Sequence, residues 1–598
     1  MSKDRFLLPC DLVFRGALTP ELSKFSDELY ERFKLGRVAS SLLFFRGIKN
    51  ADEAGSFLYP SLRRDLPDPF EIRGMADAAE FLICAVQTNK RISVYGDFDV
   101  DGLTSAAQLG LYLRLLGAEV QIYTPHRVSE GYGLNRRAID ALAELKTELL
   151  VAVDCGISNC SEIAYASELG MKTLVVDHHL PGDELPPADA IVDPCVGDCP
   201  FADYHLCASS LVWMLLIVLR SGLRNKGHSK IPDPKDFLAM AALGTICDMV
   251  PLVGPNRLIA HRGIEALRRS DNLGLSALIE VAKVPSGKRL DASHVAYAIG
   301  PRINAAGRVG DAADVIALLT TPDSKKAKKL AKNLDKLNLK RRSIEASVVE
   351  RCMEMLEGDP ALLERGALAL YDESFHIGVV GIAAQRLVEA HYRPVAVMTA
   401  AEKADGLALI RGSVRGIKGF NVASALASLA ECLESFGGHE SAGGFSLRPE
   451  NLQDFQDGFA RVAQSQLDGR DYRRKVFVDL EITLSDLNFE LLDELFRLAP
   501  FGVANPSPVF LSRKIEVSSV TSIGDKHLKL RLSDGKTSLP AVAWGFRGHP
   551  LCRKGTKVDI VFTPEINSYR GISSVQLNLR ELLSCAQATE SIIMQDCA

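Results

Sequence analysis

Between about residues 92 and 193, short apolar runs alternate with stretches of helical period. "ISVYGD", "EVQIYTP", "LLVAVDCG", "TLVVDHH" and "AIVDP" read as strands, and "LTSAAQLGLYLRLLG", "AIDALAEL" and "SEIAYASELG" between them read as helices. This alternation predicts an α/β fold, a parallel sheet covered by helices. Sheets of that kind bind ligands beyond the carboxyl ends of their strands, and Asp97, Asp154, Asp177 and Asp193 each close an apolar run. Any one of them alone reads as a helix N-cap or a turn; Asp193, followed by Pro194, is read as a turn. Residues 208–222 and 236–250 carry further helical patterns. The second ends in "LGTICDMVPL", where Asp248 interrupts an apolar stretch and needs a partner.

From Ser324 to about Leu356 the pattern is one long helix of roughly 45–50 Å, at 1.5 Å per residue, expected to connect two lobes. Its Lys and Arg run reads as a solvated face, with a phosphate-tracking edge as the lesser alternative. Residues 366–400 resume an α/β pattern, followed by "GGHESAGGF". From about 472, the short strands "VFVDLEI", "IEVSSVTSI", "HLKLRLSD", "LPAVAWG" and "KVDIVFTPEI" predict a small β-barrel such as an OB-fold. The expected organisation is an N-terminal segment (1–75) packing on a catalytic domain (76–321), a connector helix (322–358), a smaller α/β domain (359–470) and the barrel (471–590).

A chain of 598 residues suits about three to five domains. Its 47% hydrophobic and 24% charged content is that of an ordinary globular protein. The formal charge of −5 argues mildly against nucleic acid, yet carboxylates gathered for metal can conceal a basic groove. No apolar run reaches the ~18 residues of a membrane span and no signal h-region is seen, so a cytoplasmic location is expected. Thirteen scattered cysteines suit free thiols in a reducing compartment. Cys195 and Cys199 are the nearest pair, but no second pair stands at zinc-ligand spacing.

Three like charges at alternate positions, Asp97, Asp99 and Asp101 in "GDFDVDG", need a cation. D-x-D-x-D-G also opens an EF-hand loop, but the twelfth position is Gln108 and the lead-in is β-branched, which opposes that reading. With Asp154, His178, His179 and Asp248 the set suits two divalent cations, manganese before magnesium, zinc or cobalt. Two such ions, ~3.5–4 Å apart, can drive phosphoester hydrolysis. His178 and His179 are neighbours and in extended backbone point apart, so one can ligate while the other meets the substrate. Phosphate contacts would then come from Arg127, Tyr132, Arg302, Asn304, Arg308, Arg411, Ser413 and Arg415. Each Arg taken alone reads equally as a surface ion pair.

"GDFDVDG", "VAVDCG", "VVDHH" and "GTICDMVPL" resemble the four successive motifs of the DHH phosphoesterase superfamily, and "GGHESAGGFSL" resembles the signature of its DHHA1 domain. "FLYPSLRRDLPDPF", "YTPHRVSEGYGLN" and "GPRINAAGRVGDA" are similar to stretches of the RecJ family within it, and the likeness covers nearly the whole chain. That resemblance implies a 5′-to-3′ exonuclease specific for single-stranded DNA, acting in recombination and repair. Asp99, Asp101, Asp154, His178 and Asp248 would be metal ligands with Asp154 bridging, and Asp97 would be a ligand or orient water. His179 would face the scissile phosphate and Asp177 would orient a ligand. Ser413, Arg415 and Arg127 would form a 5′-phosphate pocket, while Gly437, Gly438, Gly443 and Gly444 would admit the strand, with His439 donating to a phosphate. Tyr95 stands where some superfamily members carry a ligating His. In the barrel, Trp544, Phe546 and Tyr569 would stack bases, and Lys526, Lys529, Arg531 and Arg547 would track the backbone.

The resemblance also implies a RecQ-type helicase and single-strand-binding protein as partners, and a monomer is expected. The competing readings are a DHH phosphatase of short oligonucleotides or cyclic dinucleotides, and a single-strand binder without catalysis.

Overall fold

The computed structural model describes residues 10–127, 130–284, 290–402, 406–468, 472–569, 571–584 and 592–594. The chain divides into two compact units. One comprises Gly55–Arg341 with Ala499–Pro506; the other comprises Met1–Ala54, Arg342–Leu498 and Ser507–Ala598.

The first unit is built on five parallel strands: β1 (Ile92–Gly96), β2 (Val120–Tyr123), β3 (Leu149–Val153), β4 (Lys172–Val176) and β5 (Ala190–Val192), in the order β2-β1-β3-β4-β5. Helices cover both faces, so β1 and β3 are buried at every position, which is why they read as continuous apolar runs. Helix α1 (Val100–Leu115) is buried round nearly its whole circumference. With α2 (Ala208–Asn225) and α3 (Leu238–Cys247) it forms the main core, around Leu109, Trp213 and Leu243. Helix α4 (Gly300–Val309) closes on the start of α1, where Gly307 lies so near the Phe98 carbonyl that a Cβ would stand 2.7 Å from it. The strap Ala499–Pro506 is held by Arg257, whose guanidinium donates to the carbonyls of Phe57, Ala499 and Pro500.

Helix α5 (Ser324–Gly358) is the long helix expected. In the second unit, β6 (Leu368–Tyr371), β7 (Val395–Glu402), β8 (Ala408–Arg415), β9 (Ser435–Gly438) and β10 (Ala442–Leu447) form a mixed sheet in the order β9-β10-β8-β7-β6, flanked by α6 (Val380–His391). Strands β11 (Phe510–Ile523), β12 (His527–Ser533), β13 (Ser538–Ala543), β14 (Lys557–Tyr569) and β15 (Ile572–Ser584) follow. They pair in the order β11-β12-β13-β15-β14 and close through β11–β14, giving the OB-type barrel.

Two expectations change. "VFVDLEI" was expected as the first barrel strand, but Arg474–Val478 leaves the barrel and pairs in parallel with Cys10–Phe14. Only Leu480–Glu481 meets β11. Residues 1–75 were expected as one segment on the catalytic domain, whereas the unit containing the parallel sheet begins at Gly55. Among the described residues, no helix is long and apolar enough to cross a membrane.

Candidate metal centre

The apolar run of β1 ends at Gly96, and the next three residues turn the chain into α1. Asp99 caps that helix, accepting from Asp101 N at 2.8 Å and Gly102 N at 3.1 Å, as a short carboxylate does at an N-cap. The turn is tight enough to need glycine: a Cβ on Gly102 would stand 2.6 Å from the Asp97 nitrogen and carbonyl oxygen. Asp97 is thereby buried, and its Oδ1 accepts no hydrogen bond among the described residues. Burial, then the charge of Asp99, pushes its pKa well above the usual carboxylate range.

Asp101 is 1% exposed and lies against the N-terminus of α2, accepting from Ala208 N at 2.7 Å and Ser209 N at 2.9 Å. Those amides belong to "CASS", a signal that sequence reasoning passed over: small residues at a helix start let a carboxylate reach the free N–H groups. Gly244 of "LGTICD" serves the same fit, since a Cβ there would stand 2.5 Å from Asp101 Oδ1. Burial followed by Asp99 raises the Asp101 pKa to about 6. Asp248 caps the C-terminus of α3, and burial followed by Asp101 and Asp99 raises its pKa to about 9.

Asp154 ends β3 in the left-handed region, at φ 60°, and burial with the neighbouring acids raises its pKa strongly. His178 Nε2 lies 3.2 Å from Asp154 Oδ1, 3.8 Å from Asp101 Oδ2 and 3.9 Å from Asp248 Oδ2. Three groups of donor atoms, each within 4.8 Å of one another, result: Asp97 with Asp99 and Asp154; Asp101 with His178 and Asp248; and Asp154 with Asp177, His178 and His179. Asp154 belongs to two of them. A bare cluster of this kind is strongly unfavourable, as the raised pKa values report, and divalent cations relieve it.

Asp177 behaves differently. Burial raises its pKa, but the His179 ring (Nδ1 at 2.7 Å), the Ile157 amide and the charge of His178 outweigh that and hold it below the usual range. His179 in turn is raised to about 9, because Asp177 overcomes the opposing effect of burial. The two histidines do not point apart as expected: their ring centroids lie 4.4 Å from one another and both belong to one donor group, although His178 turns to the acids and His179 to Asp177 and Tyr132, whose hydroxyl lies 3.2 Å from His179 Nδ1. Tyr95 is fully buried, donates to the Gly133 carbonyl and stacks on Tyr123. Asp193 makes the expected turn, accepting from Cys195 N at 2.8 Å. Cys195 and Cys199 join none of the donor groups found among the described residues.

The residues expected to meet substrate divide. Arg127 lies over the Phe98 ring at 4.7 Å, where burial lowers its pKa and Asp97 and Asp99 raise it. Tyr132 is half-exposed, and Asn304 and Arg308 are partly buried on α4. Arg302 departs from expectation. Its guanidinium donates to Asp335 Oδ1 at 2.9 Å and to the Ala298 and Val281 carbonyls, so it ties α4 to α5 rather than reaching for phosphate.

In the second unit, Arg415 donates to Ser413 Oγ at 2.9 Å, and Ser413 Oγ donates to the Gly443 carbonyl. Both side chains face the first turn of α6, where a Cβ on Gly381 would stand 3.0 Å from Arg415 Nη2 and Ser413 Oγ. Arg411 lies on the same strand. Gly438 turns the β9–β10 hairpin at φ 153°, where a Cβ would meet the Ala442 carbonyl at 2.4 Å; His439, beside it, is exposed. On the barrel, Trp544 is exposed against His527, but Phe546 is 1% exposed and belongs to the core, contrary to its expected stacking role. Lys526 and Lys529 are exposed, whereas Arg531 donates to Ser538 Oγ and Arg547 to the Gly524 carbonyl. The Tyr569 side chain lies outside the described residues.

Family models match three parts of the chain: the DHH family N-terminal domain over residues 91–245, the DHHA1 domain over 364–465 and the RecJ OB domain over 478–581. The chain is 34% identical to the single-stranded-DNA-specific exonuclease RecJ of Bacillus subtilis over 92% of its own length and 69% of that protein. It is 34% identical to the Escherichia coli protein of the same name, over 89% of this chain and 93% of that one. The crystal structure of Thermus thermophilus RecJ in complex with Mn2+ superposes with a TM-score of 0.81 at 29% identity, covering 96% of this chain and 79% of that one. With all three domain models matched in sequence and a third of its residues shared along almost its full length, the chain belongs to the RecJ family.

Proposed function

We propose that the protein is a divalent-metal-dependent exonuclease that digests single-stranded DNA from the 5′ end and releases 5′-mononucleotides. The observation that carries this reading is that Asp154 and His178 each belong to two of the three donor groups, which links donors enough for two cations into one chain. Asp99, Asp101, Asp154, His178 and Asp248, with Asp97, are the proposed metal holders. Carboxylates with one imidazole suit manganese, with magnesium possible, and Thermus thermophilus RecJ has been crystallised with each. Bound there, two such ions supply an acidic water and offset charge on the leaving oxygen.

The remaining roles fall to the chain itself. Asp177 fixes the His179 ring through its 2.7 Å hydrogen bond, leaving an imidazolium to donate to a phosphate oxygen. Tyr132 and Arg127 border that group on the substrate side, and Asn304 and Arg308 meet the strand from α4. Ser413 and Arg415, beside the N-terminus of α6, hold the 5′-terminal phosphate, the anion site a helix N-terminus provides. Arg411, Gly438 and His439 complete the contacts on that sheet. Trp544 stacks a base while Lys526 and Lys529 steer the backbone. The same reading has the enzyme working as a monomer in the cytoplasm, in recombination and mismatch repair beside a RecQ-type helicase and single-strand-binding protein. A small-substrate phosphatase would have no use for the RecJ-type OB barrel over 478–581.

The test is incubation with manganese and single strands labelled at either end, beside Asp101→Ala. Stepwise release of mononucleotides from the 5′ end, absent in the variant, is the expected result. Cleavage of dinucleotides alone, or binding without cleavage, overturns the reading.

A further inference from the structure

The basic run at the start of α5 has no part in the site described above. Residues 324–342 hold nine Lys or Arg and one acid, Asp335, in a chain whose formal charge is −5. The structure sorts these cations. Ala327, Ala331, Leu334 and Asn338 are buried, and Lys325, Lys329, Lys332 and Lys336 each stand two residues earlier, about 200° round the helix and fully on the outer side. Lys340 continues the line. The five lysines occupy an arc of about 80° and extend about 22 Å along the axis.

A merely solvated helical face intersperses acids three or four residues from its lysines. This stripe does not. The one acid at such a distance is Asp335, three residues after Lys332, and it is taken by Arg302 at 2.8 Å. Nearby Asp314 is bound by Asn333, and Asp323 caps the helix through Lys325 N and Lys326 N. Glu280 lies 3.9 Å from Lys328, which is off the stripe. Among the described residues none of the five lysines has an ion-pair partner. Like charges at i,i+3 and i,i+4 destabilise a helix, and cations at its N-terminal half oppose the macrodipole. The arrangement works against the stability of the helix that carries it.

We propose that Lys325, Lys329, Lys332, Lys336 and Lys340 form a track for the phosphate backbone of single-stranded DNA, an inference that rests on the exonuclease reading and extends it to the part of the strand not being cleaved. The regular spacing, without an apolar pocket along the stripe beyond the single exposed Leu339, complements a uniform polyanion better than an acidic peptide with a hydrophobic anchor. Arg302 then has a definite part: by holding Asp335 it keeps the one acid of the run from neutralising the track.

The test is binding of a labelled 30-nucleotide oligothymidylate without divalent metal, by fluorescence anisotropy over a range of salt. The variant replaces all five lysines by Gln, and a control neutralises the exposed Lys24, Lys146 and Lys230. At about 0.7 per phosphate contact, the slope of log affinity against log salt should fall by about 3.5, with binding at low salt weakened at least about tenfold. The Lys329→Gln/Lys336→Gln double variant should lose about 1.4 of slope. A slope unchanged from wild type, or matched by the control, overturns the track. So does loss of poly-glutamate binding with strand binding intact, which would make the stripe a peptide surface. Failure of wild-type protein to cleave any strand in manganese would sink the exonuclease reading while leaving this difference in binding measurable.

Discussion

The chain concentrates like charge twice, and the two regions differ in every physical respect but sign of intent. At the carboxyl ends of β1 and β3, acids are buried, some within 4.8 Å of one another, and their pKa values are driven up. Along the outer face of α5, five lysines lie in water, where repulsion is screened. Buried like charge cannot persist without a counter-ion or protonation, so the acid cluster specifies small cations drawn into it. Exposed like charge is tolerable on its own, at a cost of tenths of a kcal/mol per pair, and is free to meet a large polyanion. Enclosure thus distinguishes a site for ions from a surface for a polymer.

The comparison breaks most visibly at Asp154. Asp154→Asn should lower the rate of mononucleotide release by about 10³-fold or more, since it removes one of the two donors, with His178, that are shared between groups. Metal-free, the variant should be as stable as wild type or more so, because one uncompensated buried charge is gone. Thermal unfolding with and without manganese checks this, and a variant that keeps the wild-type manganese shift in Tm would contradict it.

A second contrast is pH. Asp101 and Asp248 have folded pKa values of about 6 and about 9, above those of free carboxyls. Their protonation favours the folded state, so that contribution is complete below about pH 4 and is lost as pH rises towards 9. Metal-free protein should therefore lose stability across that range by a few kcal/mol, and saturating manganese should flatten the slope. Denaturant midpoints at several pH values with EDTA or manganese read it directly.

Asp177→Asn should slow turnover about 10- to 100-fold, with kcat affected more than KM, because the His179 ring loses the partner that orients and charges it. Arg302→Met should cost about 1–3 kcal/mol by leaving Asp335 and two carbonyls unpaired, while cleavage of short oligonucleotides stays within a few-fold of wild type. Smallest is a single stripe residue: Lys332→Gln should raise stability by no more than about 0.5 kcal/mol. An equal effect from neutralising an acid of the cluster would erase the distinction between the two regions.

The convergence of the acids with His178 was legible because they sit at strand ends and helix caps, positions that apolar runs mark in one dimension. The parallel sheet, the long helix and most of the barrel were legible for the same reason. What was not legible depends on distant partners. The pairing of Cys10–Phe14 with Arg474–Val478 joins segments more than 450 residues apart, and no local pattern announces it. Arg302 was expected to meet phosphate alongside Asn304 and Arg308 of the same motif, but its partner is Asp335, a full helix away. Trp544 and Phe546 are two residues apart and equally aromatic, yet one is exposed and the other is core, since the chain turns after β13. The amides of Ala208 and Ser209 were missed because backbone donors show in the sequence only through the small side chains of "CASS" around them.

The most direct test of the account is titration of the metal-free protein with manganese, following bound ion by electron paramagnetic resonance beside Asp154→Asn. About two ions per chain are expected for the wild type, with a marked loss of both stoichiometry and affinity in the variant. No specific uptake by the wild type, or uptake indifferent to Asp154, would contradict it.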